Sequence, residues 1–110
     1  MKHLAIIGLA LLVAGGISVR AADAKENWTK HCAKCHGEDG KGKTKMGEKL
    51  AVKDYTDAKV QADLKDDEMA KATKEGVKDK EGKTKMKGFA EDLTDDDIKA
   101  LVKHIRSFKA

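Results

Sequence analysis

Proline is absent from all 110 residues. Turns and helix ends must therefore be marked by Gly and by capping side chains. Aromatic residues are nearly as scarce, with one Trp, one Tyr and two Phe. Arg is confined to Arg20 and Arg106. With neither an Arg cluster nor a row of rings on which bases could stack, nucleic-acid binding is disfavoured. The formal net charge of +4 is too small to argue otherwise. Two Cys allow one disulfide at most. No segment alternates apolar and polar residues long enough to read as a strand. A chain of this length is one domain at most, which excludes a large enzyme, a multidomain receptor and a channel.

The N-terminus differs from the rest. Residues 1–21 contain Lys2 and Arg20 but no acid. Residues 4–19 are an apolar run interrupted by Gly8, Gly15 and Gly16, and Val19 and Ala21 are the small residues a signal peptidase reads. This is the layout of a secretory signal peptide, expected to be cleaved after Ala21 or a nearby Ala. An uncleaved anchor is the alternative, but the run falls short of the roughly 20 apolar residues that span a bilayer. The expected mature domain is residues 22–110, with a net charge of +2. Its 89 residues hold only 17 large apolar side chains. In this size range a core that thin needs a staple or a cofactor.

Within the mature chain, residues 24–31 read as a short helix with Asp23 as N-cap. Residues 37–54 are rich in Gly and Lys and read as loop. Residues 56–64 read as a helix capped by Thr56. Residues 66–75 read as a helix whose inner face carries Met69, Ala72 and Thr73, closed by Gly76. Residues 77–89 read as a second loop. The last helix has the strongest signature. Thr94 and Asp97 form a capping box, Leu93 and Ile98 a hydrophobic staple. Asp95, Asp96 and Asp97 face the positive end of the helix dipole, and Ile98, Leu101, Val102, Ile105 and Phe108 form one apolar stripe. The expected class is all-α, about four short helices joined by long loops. Loops of that length in a small domain usually serve a function. Each carries one copy of a pentapeptide, residues 42–46 and 82–86, reading Gly-Lys-Thr-Lys-Met.

Cys32-Ala33-Lys34-Cys35-His36 is a C-x-x-C-H motif, the attachment signature of c-type haem. Two thiols at this spacing can reach two neighbouring vinyl groups of one porphyrin, and the adjacent imidazole then lies under the iron. Three other readings compete. A thioredoxin-type dithiol needs a βαβ setting that is not visible. A zinc site needs a fourth ligand, with only His31 and His104 to spare. A plain disulfide is the third. The export signal favours haem, which is attached outside the cytoplasm.

With these residues in view, the chain resembles a small bacterial class I c-type cytochrome over residues 24–108. Trp28 stands four before the first Cys, where that family has an aromatic. Ala24 stands where the family usually has Gly, at the crossing of first and last helices. Leu101, Ile105 and Arg106 match the last-helix pattern, with His104 in place of a Tyr. Glu48 lies where a Pro is expected, the residue whose carbonyl receives the proximal imidazole proton. Gly47 or a neighbour would have to supply that acceptor. The resemblance implies four short helices wrapped around one covalently attached haem c. It implies Cys32 and Cys35 as thioether residues and His36 as the proximal iron ligand.

The resemblance also implies a Met on the opposite iron face. Met86, in the loop before the last helix, stands where the family's ligand stands. Met69 lies on an apolar helical face and reads as core. Met46 is ten residues after His36, and that span reaches roughly 33 Å when extended, but it would leave the rest of the chain badly placed to cover the haem. His104 reads as a helix-contact residue, and His31 as exposed or as a neighbour of the site that does not ligate. A haem with both axial positions filled exchanges one electron with little movement, and sulfur with imidazole raises its potential. The expected function is a soluble, monomeric periplasmic one-electron carrier shuttling between redox proteins, not an enzyme. A haem enzyme or ligand sensor with open iron is the alternative, as is a subunit bound to a larger redox complex. Lys41, Lys43, Lys45, Lys83, Lys85 and Lys87 are expected to form a collar that steers partners with acidic faces.

Overall fold

The computed structural model describes residues 19–109. The expected signal sequence, residues 1–21, lies outside the described residues except for its last three, whose backbone opens the first helix. None of the described helices is long and apolar enough to cross a membrane.

The chain is mostly helical, as expected. Helix α1 (Val19–Asn27) runs without a break into a π-helical turn (Trp28–Cys32) and then α2 (Ala33–His36). In the turn the Ala33 N–H donates to the Trp28 carbonyl, five residues back. The helix thus passes straight through the C-x-x-C-H motif, longer than the 24–31 expected, because no breaker precedes Gly37. The extra residue of a π turn shifts the helix face, and such turns are frequent at functional sites. Here Trp28 and Cys32 are both buried.

Both expected loops contain structure. Residues 37–54 hold α3 (Lys45–Leu50), capped by Thr44, whose Oγ1 accepts from Gly47 N at 2.8 Å. The same hydroxyl donates to the Cys35 carbonyl at 2.7 Å, tying this helix to the motif. Residues 77–89 hold a small antiparallel ribbon, β1 (Val77–Lys78) against β2 (Thr84–Met86), with Val77 opposite Met86. Elements this short carry no readable periodicity. Helix α4 (Ala58–Asp63) is capped by Asp57, not Thr56. Thr56 instead donates its N–H and hydroxyl to Asp54 Oδ1, closing the preceding turn.

Helix α5 (Asp66–Glu75) buries Met69 and Thr73. Helix α6 (Asp95–Arg106) buries Ile98, Leu101, Val102 and Ile105, and both bonds of the Thr94–Asp97 capping box form. Side chains of this size contribute about 1.5–3 kcal/mol each when fully buried, so α6 anchors the fold. It packs against α1 and α5. Trp28, Met69, Phe89 and Leu93 complete the core.

Gly47 is the tightest backbone approach. A Cβ there would collide with the carbonyl oxygens of Cys35 and Gly42. Neither can yield as a side chain would, so Gly47→Ala should cost roughly 3 kcal/mol, the upper end of overpacking. Thermal melting should show Tm lowered by more than about 10 °C for a domain of this size. An unchanged Tm would mean that α3 can lift away from the motif freely.

Candidate functional site

The motif residues sit where the π turn meets α2. Cys32 is buried and Cys35 half-buried, both as free thiols. Burial, with a smaller contribution from Cys35, pushes the Cys32 thiol up to about 12. The motif lies on a continuous helix, not in the βαβ setting that a thioredoxin-type dithiol needs. Among the described residues, no three His, Cys, Asp or Glu side chains are grouped to hold a metal ion.

His36 lies between two rings. It stacks on Tyr55 with centroids 5.2 Å apart and planes at 23°, and leans on Trp28 at 5.7 Å. Burial lowers its pKa, so the imidazole is neutral near pH 7 and keeps a lone pair for a metal. Its Nδ1 is buried without a hydrogen-bond partner. The acceptor expected near Gly47 is therefore not met. Trp28 is fixed by its own bond, Nε1 donating to the Gly37 carbonyl at 2.9 Å.

Two cavities open on this ring. An inner one of about 150 Å3 lies among Trp28, Tyr55, Leu64, Met69, Leu101 and Ile105. An outer one of about 430 Å3 is flanked by His31, Cys35, Leu50, Val52 and Phe89. Cys32, His36 and Met86 belong to both linings. The inner walls are mostly apolar, with Glu68 and Thr73 the polar exceptions beside His36, the outer mouth carries two thiols, and a neutral imidazole shares both linings with a thioether side chain. That donor set suits a flat apolar ring with a central metal, held by sulfur at its edge.

The other candidates fall elsewhere. Met46 is on the surface, 37 % exposed. Met69 is core, and also lines the inner cavity. His104 sits beyond Trp28, 5.5 Å from its ring and 4.9 Å from Phe108, outside both linings. His31 packs on Phe89 at 5.1 Å. Of the expected Lys collar, Lys85 and Lys87 reach the outer cavity, while Lys41, Lys43, Lys45 and Lys83 do not line it. Lys30 and Lys34, from the motif helix, join them instead.

Met86 is held by its backbone. It pairs with Val77, and a Cβ on Gly76 (φ +87°) would stand 2.6 Å from the Met86 carbonyl oxygen. Phe89 N donates to Thr73 O at 2.9 Å just beyond. The strand end is thereby pressed onto the end of α5. Sequence reasoning missed Tyr55 and Gln61. A lone Tyr in a polar stretch was the available signal for the first. A Gln on a short helix offers none.

Comparison with known proteins returns concordant matches. The family model described as Cytochrome c matches residues 21–109. Among solved structures, the KustC0563 c-type cytochrome is similar at 36 % identity and TM-score 0.69, over 80 % of this chain and 99 % of its own. A Tyr-to-Phe mutant of Kustc0563 is similar at 37 % identity and TM-score 0.67, over 79 % and 99 %. No curated protein matches.

Proposed function

Because this chain belongs to the cytochrome c family and carries covalently attached haem c, an electron-carrying cofactor, we propose that it is a periplasmic one-electron shuttle with His36 and Met86 as axial ligands. Cys32 and Cys35 hold the ring through thioethers. The observation that carries this reading is the membership of Cys32, His36 and Met86 in both cavity linings. When bound, the group supplies a reversible one-electron change at iron.

The chain's own residues do the rest. Burial keeps the His36 imidazole neutral, so its ring nitrogen can ligate. Met86 brings a soft thioether, which favours the reduced metal and raises the potential. Trp28, Leu101 and Ile105 keep water from the inner wall. A site whose ligands are held by packed side chains changes little between oxidation states, and this permits fast transfer. The N-terminal 21 residues fit export, in keeping with a family whose haem is attached outside the cytoplasm. The optical spectrum of the ferric protein tests the ligand set. A weak long-wavelength sulfur-to-iron band is expected. A high-spin spectrum lacking it would replace the carrier with a ligand-binding haem protein.

Lys30, Lys34, Lys85 and Lys87 frame the outer mouth. Lys87 is also 3.8 Å from Asp92 and lies over the Phe89 ring, so its charge is partly engaged. A basic rim steers acidic partners, and added salt screens it within roughly 8 Å at physiological ionic strength. Stopped-flow electron-transfer rates with an acidic redox partner should fall roughly tenfold between low and high salt. Rates independent of salt would remove steering from the account.

A further inference from the structure

We propose that Tyr55, clamped by Gln61 and Arg106, is a positioning residue that sets the plane of the His36 imidazole. This rests on His36 being an iron ligand, as argued above. An axial imidazole is usually held by a hydrogen bond from its other ring nitrogen. Here that nitrogen, Nδ1, is buried without a partner. The ring is instead held by faces, and the flatter contact is Tyr55, at 5.2 Å and 23°.

Tyr55 would be a weak support if its backbone moved, because it lies in an irregular stretch between α3 and α4. It is pinned from both sides. Its N–H donates to the Gly40 carbonyl at 2.8 Å. Its carbonyl accepts from Gln61 Nε2 at 2.6 Å. Gln61 is only 4 % exposed, and the same Nε2 donates to Ile105 O at 2.9 Å, fastening it to α6. Its Oε1 accepts from Arg106 at 3.0 Å. Arg106 also donates to the carbonyls of Gln61 and Leu64 and pairs with Asp66 at 2.8 Å. Every polar atom of the Gln61 side chain is thus engaged, and a satisfied buried network holds one arrangement. The result is a continuous physical connection from the last helix to the face of the imidazole.

The test uses the haem-loaded protein and a readout that stability alone does not move. The paramagnetic NMR shifts of the haem methyl groups in the ferric state report the orientation of the axial ligand plane. Tyr55→Leu and Gln61→Met should each change the order or spacing of these resonances, and Tyr55→Phe, which keeps the ring, should restore the wild-type pattern. Thermal melts run in parallel identify any variant that is merely less stable. A wild-type pattern retained in both Tyr55→Leu and Gln61→Met, in a protein whose spectrum is low-spin with His ligation, overturns this inference alone. A change in Tyr55→Phe as large as in Tyr55→Leu overturns the stacking claim, since the hydroxyl would then be the active part. If Tyr55→Leu does not fold, Gln61→Met and Tyr55→Phe decide. Loss of His36 without loss of the low-spin spectrum overturns the ligand reading and this inference with it.

Discussion

A Cys32→Ala, Cys35→Ala double variant purified without haem should have lost most of its helical circular dichroism. Residues 22–110 hold 17 large apolar residues, and several of the core ones, including Leu101, Ile105 and Met69, also turn part of their surface to the inner cavity of about 150 Å3. Without the ring, the side chains that line this pocket lose the packing contacts it would give them. A domain this small has only about 5 kcal/mol in hand. The outer cavity, of about 430 Å3, adds apolar surface at Leu50 and Val52. The local signals for helix are strong only in α6, and isolated helices of its length are marginal in water. The free chain therefore has little to fold around. Native-like helical dichroism in this variant would show that the protein core suffices without the ring.

Met86→Ala should abolish the sulfur-to-iron band and lower the reduction potential by on the order of 100 mV, inside the roughly 0.8 V range that axial ligands span. Met69→Leu and Met46→Ala should leave the band in place. The contrast matters because Met69 also lines the inner cavity. Met69 is 7 % exposed on a regular helix, packed into the core. Met86 ends a two-stranded ribbon and belongs to both cavity linings. Spectra and potentiometric titration of the three variants decide the matter. A band that survives in Met86→Ala and disappears in Met69→Leu would move the ligand to α5.

The repeated pentapeptide shows where local reading ends. In the first copy Thr44 caps α3, and Met46 is exposed. In the second copy Thr84 begins β2, and Met86 lines the cavities. Identical residues took different backbones because their partners differ. The first copy lies against the Cys35 carbonyl, through Thr44. The second pairs with Val77 and meets the end of α5. Propensity over five residues is too weak to outweigh such contacts. The same limit explains why α3 and the ribbon were hidden inside stretches that read as loop.

Some features were legible because their signals are local and chemically specific. The C-x-x-C-H motif needs no distant residue to be recognised. The capping box and apolar stripe of α6 lie within 15 consecutive residues, 94–108, and the structure repeats them except that the helix ends at Arg106, leaving Phe108 beyond it and only partly buried. Scarcity of large apolar residues points to a staple or a cofactor, and the motif selects the cofactor. What only the tertiary structure decided are relations between residues far apart in the chain. It stacked Tyr55 on His36, joined Gln61 to Arg106 across 45 positions, and brought Lys30 and Lys34 beside Lys85 and Lys87. It also left His36 Nδ1 without the acceptor that the surrounding loop was expected to supply. Such contacts depend on how helices cross and on which faces they bury. A sequence records periodicity along one element, but the pairing of two elements emerges only when their surfaces compete for the same core.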